Sequence, residues 1–298
     1  MSNKLLTRIL GIVLVLISLP GLYFNISVFR HFLSIEKTSF YILCISKTIS
    51  NSFILLVNLL YNAPCAILYT IIGSDSLNRH LSQAIRFGIY LMGPLTQTLI
   101  SINRFLVVCF SPTKSPSYSN RVTVAILIVF WLSCIYFSIG FSESCYPFLV
   151  LGIFFWEQWF CEDVISEFYS DYLEKIIIFL GVLSNLLNIA VVMKLILSAK
   201  KANGLTSEAS RRRHRTTVRL FIQSCIQDWL YVIDFLNAVF YPSDDSEVVV
   251  YFILGFGTLS AIHGADGFVM CMFHRKKEVS RKVSTVSVTP RASRSQLY

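Results

Sequence analysis

Apolar residues in this chain come in long blocks parted by short polar breaks. Seven blocks are long enough to cross a bilayer, at 9–29, 40–60, 84–110, 122–141, 173–197, 218–241 and 248–273. A helix needs about 20 mostly apolar residues to span the hydrocarbon. Backbone groups in lipid must pair within the segment, so blocks of this length predict helices. The pattern predicts an all-α membrane protein, a bundle of seven transmembrane helices occupying 1–282. A basic Ser/Thr-rich tail of disordered composition, 283–298, follows it. Lys4 and Arg8 precede the first block as they would in a signal peptide, but the apolar stretch runs on through LPGLYF without an A-x-A site, so the block is expected to be retained.

Composition supports this reading. The chain is 54% hydrophobic and only 14% charged, against about a quarter charged in average soluble domains. The net charge of +9 would suit nucleic acid, but the basic residues lie between the apolar blocks and after the last one, where they set topology. No nucleic-acid partner is expected. With the N-terminus outside, twenty of the 26 lysines and arginines face the cytoplasm, five face outward and Lys47 lies within a span. Acids such as Glu143, Glu162, Asp163, Asp244 and Asp245 fall on the outer side. This bias places the C-terminus in the cytoplasm.

Charges inside spans are functional candidates by default. Arg104, within SINRF, lies about 26 Å into the third span at 1.5 Å per residue. That depth suits either an arginine snorkelling to the inner phosphates or part of a switch. Lys47 in the second span and Asp266 in the seventh each lie about 10 Å from the inner face, near Asn25 and Asn51. Arg86, at the top of the third span, and Asp234, in the outer half of the sixth, either pair with each other or hold a polar ligand. Tyr90, Asn62, Asn237 and Tyr251 are expected to line the same cavity, with Asp228 in a polar space beneath. Of eight cysteines, Cys145 and Cys161 sit clearly outside, in oxidising space, and are the natural disulfide pair; Cys65 competes. Between them, YPFLVLGIFFWEQWF is too short to cross and reads as a hairpin lid, with Trp156 and Trp159 in the interfacial aromatic belt.

Asn103-Arg104-Phe105 resembles the Asp-Arg-Tyr motif of rhodopsin-like G-protein-coupled receptors. More narrowly, the chain is similar to the nematode serpentine-type chemoreceptors of class X (Srx). The likeness rests on NRF with Pro112 and Tyr118 beyond it, on Ser46-Lys47, Ile49-Ser50-Asn51 in the second span, and on His263, Asp266 and Gly267 in the seventh. It covers residues 5 to 282. The resemblance implies a chemosensory receptor in which an outside small-molecule or peptide ligand shifts the bundle toward a state read by a heterotrimeric G protein. Asn103, Arg104 and Phe105 would then couple to the G protein, with Arg211, Arg212 and Arg213 of the inner loop. Asn25, Lys47, Asn51, His263, Asp266 and Gly267 would form the polar core of the switch. It also implies a multi-pass protein of the plasma membrane, in sensory neurons and their cilia. Departures are plain: Asp266-Gly267 replaces the superfamily's Asn-Pro, Met270 its tyrosine, and the third helix lacks the usual cysteine at its top.

The basic inner loop and tail also suit membrane phospholipid, at about 1 kcal/mol per basic residue. Ser280, Ser284, Thr285 and the tail residues beyond are candidate kinase sites that would recruit an arrestin. A transporter or ligand-gated channel subunit is the alternative, but inverted repeats are missing. No G-x-S-x-G or H-E-x-x-H occurs, so no enzyme, metal or cofactor is expected.

Overall fold

The computed structural model describes residues 3–110, 116–139, 147–158, 172, 174–202, 208–239 and 247–285. Seven helices form the bundle: α1 (Asn3–Ser34), α2 (Ser39–Leu68), α3 (Asp75–Cys109), α4 (Pro116–Ile139), α5 (Glu174–Ala202), α6 (Glu208–Val239) and α7, which runs from Val248–Phe252 through Ile253–Gly257 to Thr258–Thr285. Six of them are apolar enough along their described length to cross a membrane. The exception is α6, whose inner half is basic and whose core carries Arg219, Asp228 and Asp234. Most helices outrun the apolar blocks, because hydropathy marks only the stretch inside the hydrocarbon. α1, with 32 residues, is about 48 Å long.

Among the described residues, three helices contain a widened π-turn, at Asn58–Asn62, Ala84–Gly88 and Ile253–Gly257. The turn in α2 comes just before Pro64, whose missing N–H disturbs the regular ladder. Each extra residue in a turn swings everything beyond it by about 100°. α2 starts at Thr38, whose side chain accepts the Tyr41 N–H, and stops at Tyr69, which adopts a left-handed φ of 56°.

Between α4 and α5, β1 (Pro147–Val150) pairs antiparallel with β2 (Phe155–Gln158), with Val150 opposite Phe155. This hairpin packs over the outer ends of α1, α3 and α7. Thr7 Oγ1 donates to the Leu151 carbonyl, Asn78 Oδ1 accepts the Leu149 N–H, and Arg86 Nη1 donates to the Trp156 carbonyl at 3.0 Å. The Phe154 ring stacks on Phe252 and Phe256, and Trp156 lies 3.9 Å from Phe256. Trp156 is thus buried in the outer core and not in the interfacial belt, because the hairpin folds inward over α7. Trp159 lies outside the described residues.

The core has two apolar layers. Leu14, Ile54, Phe154 and Phe256 belong to the outer one, and Val28, Leu43, Ile100 and Met270 to the inner one. In α1, α2 and α7 a polar layer separates them. Large apolar side chains also cover the outside, including Leu16, Leu132, Leu186 and Trp229, as lipid contact requires. α1 and α7 approach most closely at Gly21 and Gly264, where a Cβ on Gly21 would come within 2.8 Å of the Gly264 Cα.

Candidate functional site

The polar layer is built around Asp266 of α7. Its Oδ1 accepts from Lys47 Nζ of α2 at 2.9 Å and from Gln227 Nε2 of α6 at 2.8 Å. Its Oδ2 accepts from Asn51 Nδ2 at 2.6 Å. The Lys47–Asp266 ion pair is fully buried on both sides. Asn51 also donates to Asn25 Oδ1, and Asn25 donates in turn to the carbonyls of Gly21 and His263. With Asn51 Oδ1 accepting, His263 carries its proton on Nδ1, at 2.8 Å. Gly267 makes room for this cluster: a Cβ there would meet Asn25 Nδ2 at 2.5 Å.

Lys47 extends the network sideways. Its ammonium donates to Gln97 Oε1 of α3 at 2.6 Å and lies 4.9 Å from the Tyr231 ring of α6. The other end of Gln97, Nε2, donates to Asp228 Oδ1 at 2.6 Å and reaches Ser224 Oγ at 3.3 Å. Asp228 also accepts from Ser184 Oγ at 3.0 Å and from Asn188 Nδ2. One connected chain of side chains therefore joins α1, α2, α3, α5, α6 and α7. α4 attaches separately, through Trp131 Nε1 to Ser46 Oγ.

A cavity of about 410 Å³ lies against this chain, between α3, α5 and α6. Gln97, Asp228, Ser184 and Tyr231 form its polar end, and Tyr90, Pro94 and Thr98 its α3 wall. Its remaining lining is mostly apolar. Ile178, Val182, Leu186 and Leu236 line it and are also 40%, 53%, 59% and 45% exposed on the flank of the bundle. The cavity therefore opens toward the hydrocarbon between α5 and α6. Its volume lies near the low end of the range that holds drug-sized ligands.

Of the residues expected to bind a ligand, Tyr90 lines this cavity and three others sit elsewhere. Arg86 faces the hairpin, 6.0 Å from the Phe155 ring, and Tyr251 packs on Phe155. Asn62 donates to Asn58 Oδ1 along α2, and Asn58 to Ser260 Oγ of α7. Arg86 and Asn62 both fall in π-turns, so a uniform helical period misplaces them. The side chains of Asp234 and Asn237 lie outside the described residues, as do Cys145 and Cys161. Cys65 is a buried free thiol.

At the inner end of α3, Arg104 is only 7% exposed. Its guanidinium lies 5.1 Å from the Phe40 ring, and among the described residues none of its three nitrogens has a hydrogen-bond partner. Such depth sets aside the snorkelling expectation, because a snorkelling head would be in water. Gln223 of α6, fully buried, likewise lacks a partner at both amide atoms. Phe105 packs edge-on against Phe110, and Asn103 is half-buried beside it. Arg211, Arg212 and Arg213 belong to the inner end of α6, their side chains outside the described residues. Sequence reasoning missed Gln97 and Gln223; a glutamine deep in an apolar block was the available signal. Among the described residues no group of side chains is arranged to hold a metal ion.

A family model described as "Serpentine type 7TM GPCR chemoreceptor Srx" matches residues 15–274. Among solved structures, the crystal structure of squid rhodopsin aligns with a TM-score of 0.74 at 17% identity, covering 95% of this chain and 87% of that one. That likeness is one of fold. No curated protein matches.

Proposed function

The chain belongs to the Srx family of serpentine-type seven-transmembrane chemoreceptors, and on that premise we propose how its parts divide the work of a chemosensory G-protein-coupled receptor. It is a multi-pass membrane protein whose family and fold are those of receptors and not of enzymes. Nothing in the comparisons supports a transporter or channel.

In this reading the ligand occupies the cavity between α3, α5 and α6, beside Tyr90, Gln97 and Asp228. The Lys47–Asp266 pair and its amide partners set the relative placement of α2, α3, α6 and α7. A ligand that binds one arrangement of these helices more tightly shifts the population toward it. Arg104 and Gln223 meet the G protein at the inner face, with Asn103 and Phe105 shaping that end of α3 and Arg211, Arg212 and Arg213 extending it.

One observation carries the reading: a buried arginine with three unbonded nitrogens. An unmade hydrogen bond to a buried polar group costs about 1–3 kcal/mol, and more for a charged one. Arg104 therefore gains when a partner supplies carbonyl oxygens at the opened inner face. The same reading assigns the protein to the plasma membrane of sensory neurons and their cilia. It gives the tail serines to a kinase and an arrestin, and the inner basic residues to anionic lipid.

Basal nucleotide exchange on a panel of co-expressed G proteins tests the assignment. Arg104→Ala and Arg104→Lys are expected to bring exchange down to that of membranes lacking the receptor, at unchanged surface density. Exchange that persists in Arg104→Ala at equal density contradicts the role.

A further inference from the structure

We infer that the cavity between α3, α5 and α6 receives an amphiphilic organic cation, its charged head seated on Asp228 and its apolar body on the walls toward the bilayer. The inference rests on the cavity being the ligand site and names the chemistry of what fills it.

The first ground is charge. The connected polar chain holds two carboxylates, Asp228 and Asp266, and one ammonium, Lys47. Lys47 is committed to Asp266 at 2.9 Å, and among the described residues no cation lies within ion-pair distance of Asp228. Asp228 is 4% exposed and lines the cavity. Its neighbours are hydrogen-bond donors without charge: Gln97, Ser184 and Asn188. They take three of the roughly four lone-pair sites of a carboxylate. Lys47 and Arg104 act on Asp228 only from beyond ion-pair distance, and the carboxylate, with one acceptor site left, lines a space large enough for a ligand. A buried charge is costly unless it is paired, and a cationic head supplies a partner in direct contact. Tyr90 offers a ring on the same lining, and aromatic faces attract cations.

The second ground is shape. The walls away from Asp228 are mostly apolar, and four of their residues also face the lipid flank. A molecule with an apolar body concentrates in the bilayer and reaches this opening without passing the hairpin. A fully polar cation would find neither the route nor the wall.

Gln97, which donates to Asp228 Oδ1, holds Lys47 through its Oε1, so a head group on Asp228 lies two hydrogen bonds from the ammonium of the ion pair.

The test uses the full chain in lipid nanodiscs and reads its unfolding temperature with three probes of equal chain length: octylammonium, octanol and octanoate. Octylammonium is expected to raise the midpoint of the wild type by at least about 3 °C, with octanol and octanoate giving less than half of that. Two variants are compared. Asp228→Asn keeps the shape, and Asn188, whose Oδ1 has no partner, can turn that oxygen toward the new amide. Gly181→Phe fills the cavity from α5, where a Cβ meets nothing within 4 Å. Both are expected to lose the octylammonium shift. If octanol matches octylammonium in the wild type and Gly181→Phe removes both shifts, the cavity binds ligands but the cation is wrong. An octylammonium shift that survives in Asp228→Asn overturns the seating. No shift with any probe overturns the cavity as the ligand site. Should Asp228→Asn fail to fold, octylammonium against octanol in the wild type and in Gly181→Phe still decides.

Discussion

Gly267 and Gly181 are both helical glycines, yet a methyl group should act on them in opposite directions. At Gly267 the added Cβ would lie 2.5 Å from Asn25 Nδ2. Asn25 is fully buried and bonded to two carbonyls, so it has nowhere to go. Overpacking of this kind costs about 1–3 kcal/mol. At Gly181 a Cβ meets nothing, and replacing a helical glycine by alanine gains about 0.5–1 kcal/mol. Thermal unfolding in one lipid composition is expected to place Gly267→Ala below the wild type and Gly181→Ala above it. Equal midpoints for the two would mean that α1 and α7 are not packed as described. This scale also marks what could be read from sequence. Lys47, Asp266 and Arg104 stood out because charge inside an apolar block is costly and visible. Gln97 carries no charge and was passed over, although it joins the cavity to the ion pair. Arg86 was visible, but its direction was not.

Helices account for most of what the sequence made legible, because span length and charge bias are physical demands of the bilayer. Their internal irregularities were not legible. The π-turns at Asn58–Asn62 and Ala84–Gly88 turn Asn62 and Arg86 away from where a regular helix would aim them. The hairpin could be read from length alone, since its apolar run is too short to cross. The direction of Trp156 could not, because nothing local announces the packing on Phe256. Trp156 Nε1 has no hydrogen-bond partner, so its indole serves by volume. Trp156→Phe is therefore expected to leave amide exchange in the hairpin nearly unchanged. Trp156→Ala, at the roughly 3–5 kcal/mol typical of large aromatic truncations, is expected to raise it by orders of magnitude. Equally fast exchange in both variants would contradict this packing. Cys145 and Cys161 lie two and three residues beyond the strands in sequence, and we propose that a bridge between them closes the base of the hairpin. Closing a loop of this size contributes about 3 kcal/mol. Peptide mapping without reduction is expected to recover them joined, and alkylation of either in the native protein would refute the bridge.

Across the whole molecule, the cavity and the α2–α7 ion pair share one buried layer. Asp228, Gln97, Lys47 and Asp266 run in sequence from the cavity to the ion pair, and Arg104 lies at the inner end of α3. Interhelical hydrogen bonds in membranes contribute little singly, about 0.6 kcal/mol on average. A buried pair behaves differently: removing one partner costs about 3–5 kcal/mol, because the other charge is left alone. Whether Lys47 and Asp266 act as a unit is tested most directly by exchanging their charges. Surface density and basal nucleotide exchange would be measured for Lys47→Ala, Asp266→Ala and the double exchange Lys47→Asp with Asp266→Lys. Each single variant is expected to lose most of both. The exchange is expected to recover part of the loss, with Gln227 and Gln97 turning their amides to suit the new charges. Recovery stays incomplete because a turned Gln97 would point its oxygen at Asp228. An exchange as damaged as the two single losses combined would contradict the pair as a unit.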